Sequence, residues 1–142
     1  MISAVVDPGV FVSAFIGRQG SVPDRIVRAW RAGQIELVVS PALLDELADV
    51  LGRPQFAHAT RDGRAADFVN ALRRRGSMFS DPPGTDAITR DPKDDYLVRL
   101  ARASIPTALV SEDRHLREAD IGDITVLTPR AFIDLVDRAP AA

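Results

Sequence analysis

The chain has 142 residues, 46% of them hydrophobic and 27% charged, with a net charge of −2 and no cysteine. That is enough length for one domain with a proper core, here 1–142, while the missing cysteine excludes a disulfide framework, a thiolate metal site and a cysteine nucleophile. No apolar run approaches the roughly 20 residues of a membrane span, no basic signal region opens the chain, and bulk charge gives no argument for a polyanion partner, so a soluble cytoplasmic protein is expected.

The first element is an apolar strand, Ile2 to Val6, that stops at a carboxylate, Asp7. Pro8 and Gly9 break it. Val10 to Ile16 is too apolar for a surface loop and reads as a short buried helix ended by Gly17 and Gly20. Ser21-Val22-Pro23-Asp24 is a capping box with proline in the first turn. The helix it opens carries Ile26, Val27 and Trp30 inward and Arg25, Arg28 and Arg31 on a solvated side. Ile35 to Val39 is a second strand. Ser40 as N-cap and Pro41 at the first position start a helix through Leu43, Leu44, Leu47, Val50 and Leu51.

After a link over 56–60, Asp62 caps a helix with Ala65, Phe68, Val69 and Leu72 as its apolar stripe. Arg73, Arg74 and Arg75 complement its C-terminal dipole. Ser77 to Ser80 is a weak strand, and Asp81 to Asp91 an irregular loop. A helix over Lys93 to Ser104 and strands over Thr107 to Ser111 and Ile124 to Leu127 follow. Thr128-Pro129 opens a last helix. Short apolar strands alternating with helices argue an α/β fold with a mainly parallel sheet covered on both faces. Ligands gather at the C-terminal strand ends of such sheets, where strand order reverses. Asp7 and Asp113 both sit at such ends.

Two helix acids join them. Glu46 shares a side with Leu43, Leu47 and Val50 by i±3/i+4 spacing. Asp94 lines up with Leu97, Val98 and Ala101, whereas Asp95 lines up with Arg99 and Arg102, where ordinary i,i+4 ion pairs are expected. Alone, each acid reads equally well as a turn residue, a cap or a dipole charge. Together, four anions in one crevice would repel and take up protons unless a cation sat among them. Oxygen-only ligands suit Mg²⁺ or Mn²⁺ over Zn²⁺.

These segments also carry a family resemblance. Val5-Val6-Asp7 followed by Val10 to Phe15, Ser40 to Leu47 with its single glutamate, Asp91-Pro92-Lys93-Asp94-Asp95-Tyr96-Leu97, and Leu109 to Leu116 resemble, in order, the four motifs of PIN-domain ribonucleases. The likeness is greatest to the toxin branch of toxin–antitoxin pairs. It implies a three-layer α/β/α Rossmann-like fold and Mg²⁺- or Mn²⁺-dependent cleavage of single-stranded RNA by metal-activated water. Asp7, Glu46, Asp94 and Asp113 are then the catalytic, metal-binding acids. Asp95 is the alternative to Asp94, and Asp91 belongs to an outer shell. A small antitoxin protein and a homodimer are the implied partners.

The chain departs from the family pattern at three places: Pro8-Gly9 stand where Thr-Asn is usual, Glu112 where glycine is, and His115 where aspartate often is. Loss of such supporting groups typically costs 10–100-fold. Glu112 can substitute as a ligand, and His115 can contact substrate phosphate. Arg18, Arg53, Arg90, Lys93 and Arg114 lie near motif ends as candidates for the RNA backbone. Two rivals stand beside this reading. One is a degenerate PIN domain that binds RNA or a protein without cutting. The other is an aspartyl-phosphate enzyme, against which Gly9 stands where a phosphatase needs a second aspartate, and Lys93 opens a helix.

Overall fold

A computed structural model of the chain describes residues 1–60, 62–89, 91–119 and 121–140, with the backbone but not the side chain of Pro92. Arg61, Arg90, Asp120, Ala141 and Ala142 lie outside the described residues, and with them the RNA-contact expectation for Arg90. The strands are β1 (Ile2–Val6), β2 (Ile35–Val39), β3 (Ser77–Met78), β4 (Ala108–Val110) and β5 (Val126–Leu127). All pair in parallel, in the order β3-β2-β1-β4-β5. Val5 and Val6 of β1 lie opposite Leu109 and Val110 of β4, and the ladder runs on one step as Asp7 N donates to Val110 O at 2.9 Å. All three residues of β4 and the last three of β1 are buried. That is why these strands read as continuous apolar runs.

The helices are α1 (Pro8–Ile16), α2 (Val22–Arg31), α3 (Pro41–Leu51), α4 (Ala57–Thr60), α5 (Arg64–Arg75), α6 (Pro92–Ser104), α7 (Arg114–Glu118) and α8 (Pro129–Arg138). Pro8 and Gly9 end the strand as expected, but they also form the first turn of α1, a helix two residues longer than the apolar run predicts. Proline at the first helical position lacks only an N–H that has no intrahelical partner. The 56–60 link is a 3-10 turn (Pro54–Phe56) running into α4. Asp62 sits one residue before the true N-cap of α5, Gly63, whose φ of 86° glycine adopts freely. Asp62 still accepts the Arg64 N–H.

Connections from β1 through β2 to β3 all step one way along the sheet, and those from β3 to β4 and β5 step back. Right-handed crossovers therefore put α1, α2, α3 and α5 on one face and α6 on the other, where it packs on β1 and β4. The first face is held by an aromatic group: Phe68 meets Phe11, Phe15 and Trp30 at centroid distances of 5.4, 5.1 and 6.2 Å. The arginines of these helices face solvent as expected and also cover the core. Arg31 lies over the Phe68 ring, Arg75 over Trp30, and Arg25 pairs with Asp137 of α8 at 2.6 Å. Their long side chains cover apolar surface while their charges stay wet.

α6 ends at Ile105, an 84% exposed residue with φ 50° and ψ 59°. A β-branched side chain in the left-handed region is strained by about 1–2 kcal/mol relative to glycine. Ile105→Gly should therefore raise stability by about 1 kcal/mol, against the extra freedom glycine has in the unfolded chain. Urea unfolding of the two proteins measures it; equal or lower stability of the glycine variant removes the strain account.

Candidate functional site

Of the helices that begin at the C-terminal edge of the sheet, three begin with an aspartate. Asp7 caps α1, Asp91 caps α6 and Asp113 caps α7, every side chain accepting a backbone N–H of the turn it opens. Asp7 and Asp113 leave adjacent central strands, β1 and β4. The sheet reverses strand order between these two strands, the usual ligand position in this architecture. Helix N-termini carry partial positive charge, which offsets part of the cost of gathering acids there.

The strand-end acids are joined by a residue the sequence reading passed over. Ser111, fully buried, donates its hydroxyl to Asp7 Oδ2 at 2.8 Å and accepts the Asp113 N–H at 3.0 Å. Asp7 Oδ1 in turn accepts the Gly9 N–H at 3.1 Å. Both oxygens of Asp7 are thus oriented by the protein itself. The signal for Ser111 was a polar residue closing an otherwise apolar strand two positions before an acid, a pattern that also merely ends a strand.

α6 brings Asp94 to this edge, within hydrogen-bonding reach of the Asp113 carboxyl. Burial first, then the hydrogen bond and charge of Asp113, then the charges of Asp7 and Asp91, push the Asp94 carboxyl up from 3.8 to about 7. Two carboxyls this near cannot both ionise cheaply, so Asp94 keeps its proton well above the pH at which a free aspartate loses it. Glu46 lies on α3. Its Oε2 accepts a hydrogen bond from the Tyr96 hydroxyl. The phenol feels Glu46, Asp7 and Asp81 together; burial first and then these acids hold its proton on far above the usual range. Ser111 therefore links Asp7 to the backbone of Asp113, Asp94 comes within hydrogen-bonding reach of Asp113, and Glu46 is bonded to Tyr96 of the same helix as Asp94.

Asp95 corrects the helical-phase reading. Its main partners are not the i,i+4 arginines, and it is 4% exposed. Its carboxylate accepts from the Thr89 N–H at 2.8 Å, the Thr89 hydroxyl at 2.6 Å and the Ile88 N–H at 3.2 Å. Burial alone would raise its pKa, but those bonds, with the nearby Arg99, outweigh burial and hold it below the ordinary value. Asp95 is occupied in fastening the preceding loop, and Asp94 is the α6 acid turned to the cluster. Glu112 and His115 are exposed. Arg114 pairs with Glu118 at 3.4 Å and Arg53 with Asp49 at 3.7 Å, while Arg18 and Lys93 are exposed.

Among the described residues, no group of three or more acidic, histidine or cysteine side chains stands close enough together to hold a metal ion. The donor chemistry nonetheless fits a hard divalent cation. Every candidate ligand is oxygen, and Mg²⁺ usually takes one or two carboxylates and keeps several waters. A groove of about 500 Å³ between α1, α2 and α5, lined by Phe15, Arg28, Arg31 and Arg64 among others, holds none of the four acids.

A family model for the PIN domain matches residues 3–115, most of the chain and all four acids. The chain belongs to the PIN-domain family. PIN domains as a family are nucleases that generally use divalent metals. The sheet of this PIN domain continues past the matched segment, since β5 and α8 follow residue 115. No curated protein matches the chain. Among the described residues of this PIN domain, no helix is long and apolar enough to cross a membrane.

Proposed function

We propose that this PIN domain, a single unit over residues 1–142, is a metal-dependent endoribonuclease acting on single-stranded RNA. We read it as the toxin of a toxin–antitoxin pair, cytoplasmic, dimeric and held by a small antitoxin protein. One observation carries the nuclease reading: Asp7 and Asp113 end the two adjacent strands at the switch point of the sheet, bridged by the buried Ser111 hydroxyl, with Asp94 in hydrogen-bonding reach of Asp113. Asp7, Asp94 and Asp113 would hold Mg²⁺ or Mn²⁺, with Glu46 completing the set. Such an ion supplies an activated water and neutralises charge on the phosphodiester.

The chain's own groups do the rest. Ser111 fixes Asp7 and the backbone of Asp113 in one register. The Gly9 N–H orients the other oxygen of Asp7, so a backbone donor serves where family members usually carry side-chain polar groups. This favours an active enzyme over the degenerate, non-cutting alternative. Labelled single-stranded RNA should be cut with Mn²⁺ or Mg²⁺, spared with a chelator, and spared by Asp7→Asn. Equal cleavage by wild type and Asp7→Asn would dispose of the mechanism. Tight Mn²⁺ binding with no cleavage of many RNAs would favour the non-cutting form.

A further inference from the structure

Glu46 is the acid least tied to the others. Asp7 and Asp113 cap helices at adjacent strand ends, and Asp94 lies within hydrogen-bonding reach of Asp113. Glu46 belongs to α3, whose neighbours are α1 and α5. Among the described residues its one hydrogen-bond donor is the Tyr96 hydroxyl, on Oε2. We propose that Tyr96 is a positioning residue for Glu46, taking one carboxylate oxygen so that the other is presented to the cation. This rests on the metal-dependent nuclease reading above.

Residues two apart on a helix point to different sides. The start of α6 therefore holds the cluster from two directions, Asp94 to Asp113 and Tyr96 to Glu46. The choice of a phenol has a chemical reason. An arginine or lysine in that place would pair with Glu46 and compete with a metal for its charge. A phenol donates one hydrogen bond and adds no charge. Its ring has few rotamers, so it fixes the carboxylate at small entropic cost. Asp81 fixes the other side of the joint: its Oδ2 accepts the Ala42 N–H at 2.8 Å, in the first turn of α3. Its Oδ1 is buried without a hydrogen-bond partner among the described residues, and its charge reaches Tyr96. The phenol is thus set among three acids and commits its single proton to Glu46.

The experiment is a calorimetric titration of MnCl₂ into metal-free wild type, Tyr96→Phe, Glu46→Gln and the double variant. Phenylalanine keeps the ring, and melting of each metal-free protein checks the fold. Tyr96→Phe should weaken Mn²⁺ binding about 10-fold, the lower end for a group that orients a ligand. Adding Tyr96→Phe to Glu46→Gln should cost nothing further, because the carboxylate it orients is gone. Unchanged Mn²⁺ affinity in Tyr96→Phe overturns the proposal, whether or not its melting temperature falls. So do losses that add in the double variant, which mean Tyr96 acts by packing. Wild type that binds no Mn²⁺ at all removes the nuclease reading itself, and Tyr96's role with it.

Discussion

Asp94→Asn is expected to make the metal-free protein more stable at pH 8 and leave it unable to hold Mn²⁺ tightly. The Asp94 carboxyl is pushed up from 3.8 to about 7 by burial and by Asp113, Asp7 and Asp91. Between those values the folded protein keeps a proton that the unfolded chain has released. Stability is then fully present below about pH 4 and falls as pH rises towards 7. Converted in full, the shift would approach ~4 kcal/mol. Asp94 is only half-buried, so screening by solvent brings the expected effect down to about 1–2 kcal/mol. Asparagine carries no charge to repel Asp113, so its melting temperature should exceed that of wild type by several degrees at pH 8. At pH 4 the two should coincide. Mn²⁺ at 100 times its Kd should add about 2.7 kcal/mol to wild type at pH 8 and far less to the variant. Thermal melts at both pH values, with and without Mn²⁺, read all of this. Identical wild-type melts at pH 5 and pH 8 without metal would show that the acids do not strain one another.

How much of this was readable beforehand differs from element to element. β1, β2 and α3 stand where the sequence puts them, because burial, caps and proline all act within a few residues there. β3 and β5 have only two residues each, and their pairing is decided by what they dock on: Val39 opposite Met78 and Val110 opposite Leu127. α7 was not foreseen, since five residues with only Leu116 buried give no periodicity. Of the candidate site, the four acids could be singled out because each closes a strand or borders an apolar helix face. Their contacts were not. Ser111 looked like a strand terminator, and Tyr96 stood in the third motif with no signal of its own. Asp95 was misplaced for a physical reason. Helical phase describes a side chain relative to its own helix, whereas the partners of Asp95 lie in the aperiodic loop that folds back over the first turn of α6.

That loop sets up the other large effect. Asp95→Ala should cost roughly 3 kcal/mol in urea unfolding, because it leaves the Ile88 and Thr89 N–H groups and the Thr89 hydroxyl without their charged acceptor in a buried place. Asp95→Asn should lose a large part of the same energy, since an amide nitrogen turned towards those donors cannot accept. The damage should reach the acids next door. Thr89 Oγ1 accepts the Asp91 N–H, and Asp91 caps α6 ahead of Asp94, so slack at Asp95 loosens the turn that presents Asp94 to Asp113. Weaker Mn²⁺ binding by Asp95→Ala is therefore expected even though Asp95 makes no claim on the ion. The two neighbours also respond oppositely to acid. Asp95, held below its ordinary value, stabilises the fold above about pH 4 and loses this as pH falls through its folded value. Asp94, held above its own, gains when protonated. Acid titrations of stability should thus shift in opposite senses for Asp94→Asn and Asp95→Ala: the first flattens the slope between pH 4 and 7, the second the slope below pH 4. A loss under about 1 kcal/mol for Asp95→Ala would mean that water replaces the carboxylate, and that the loop stands without it.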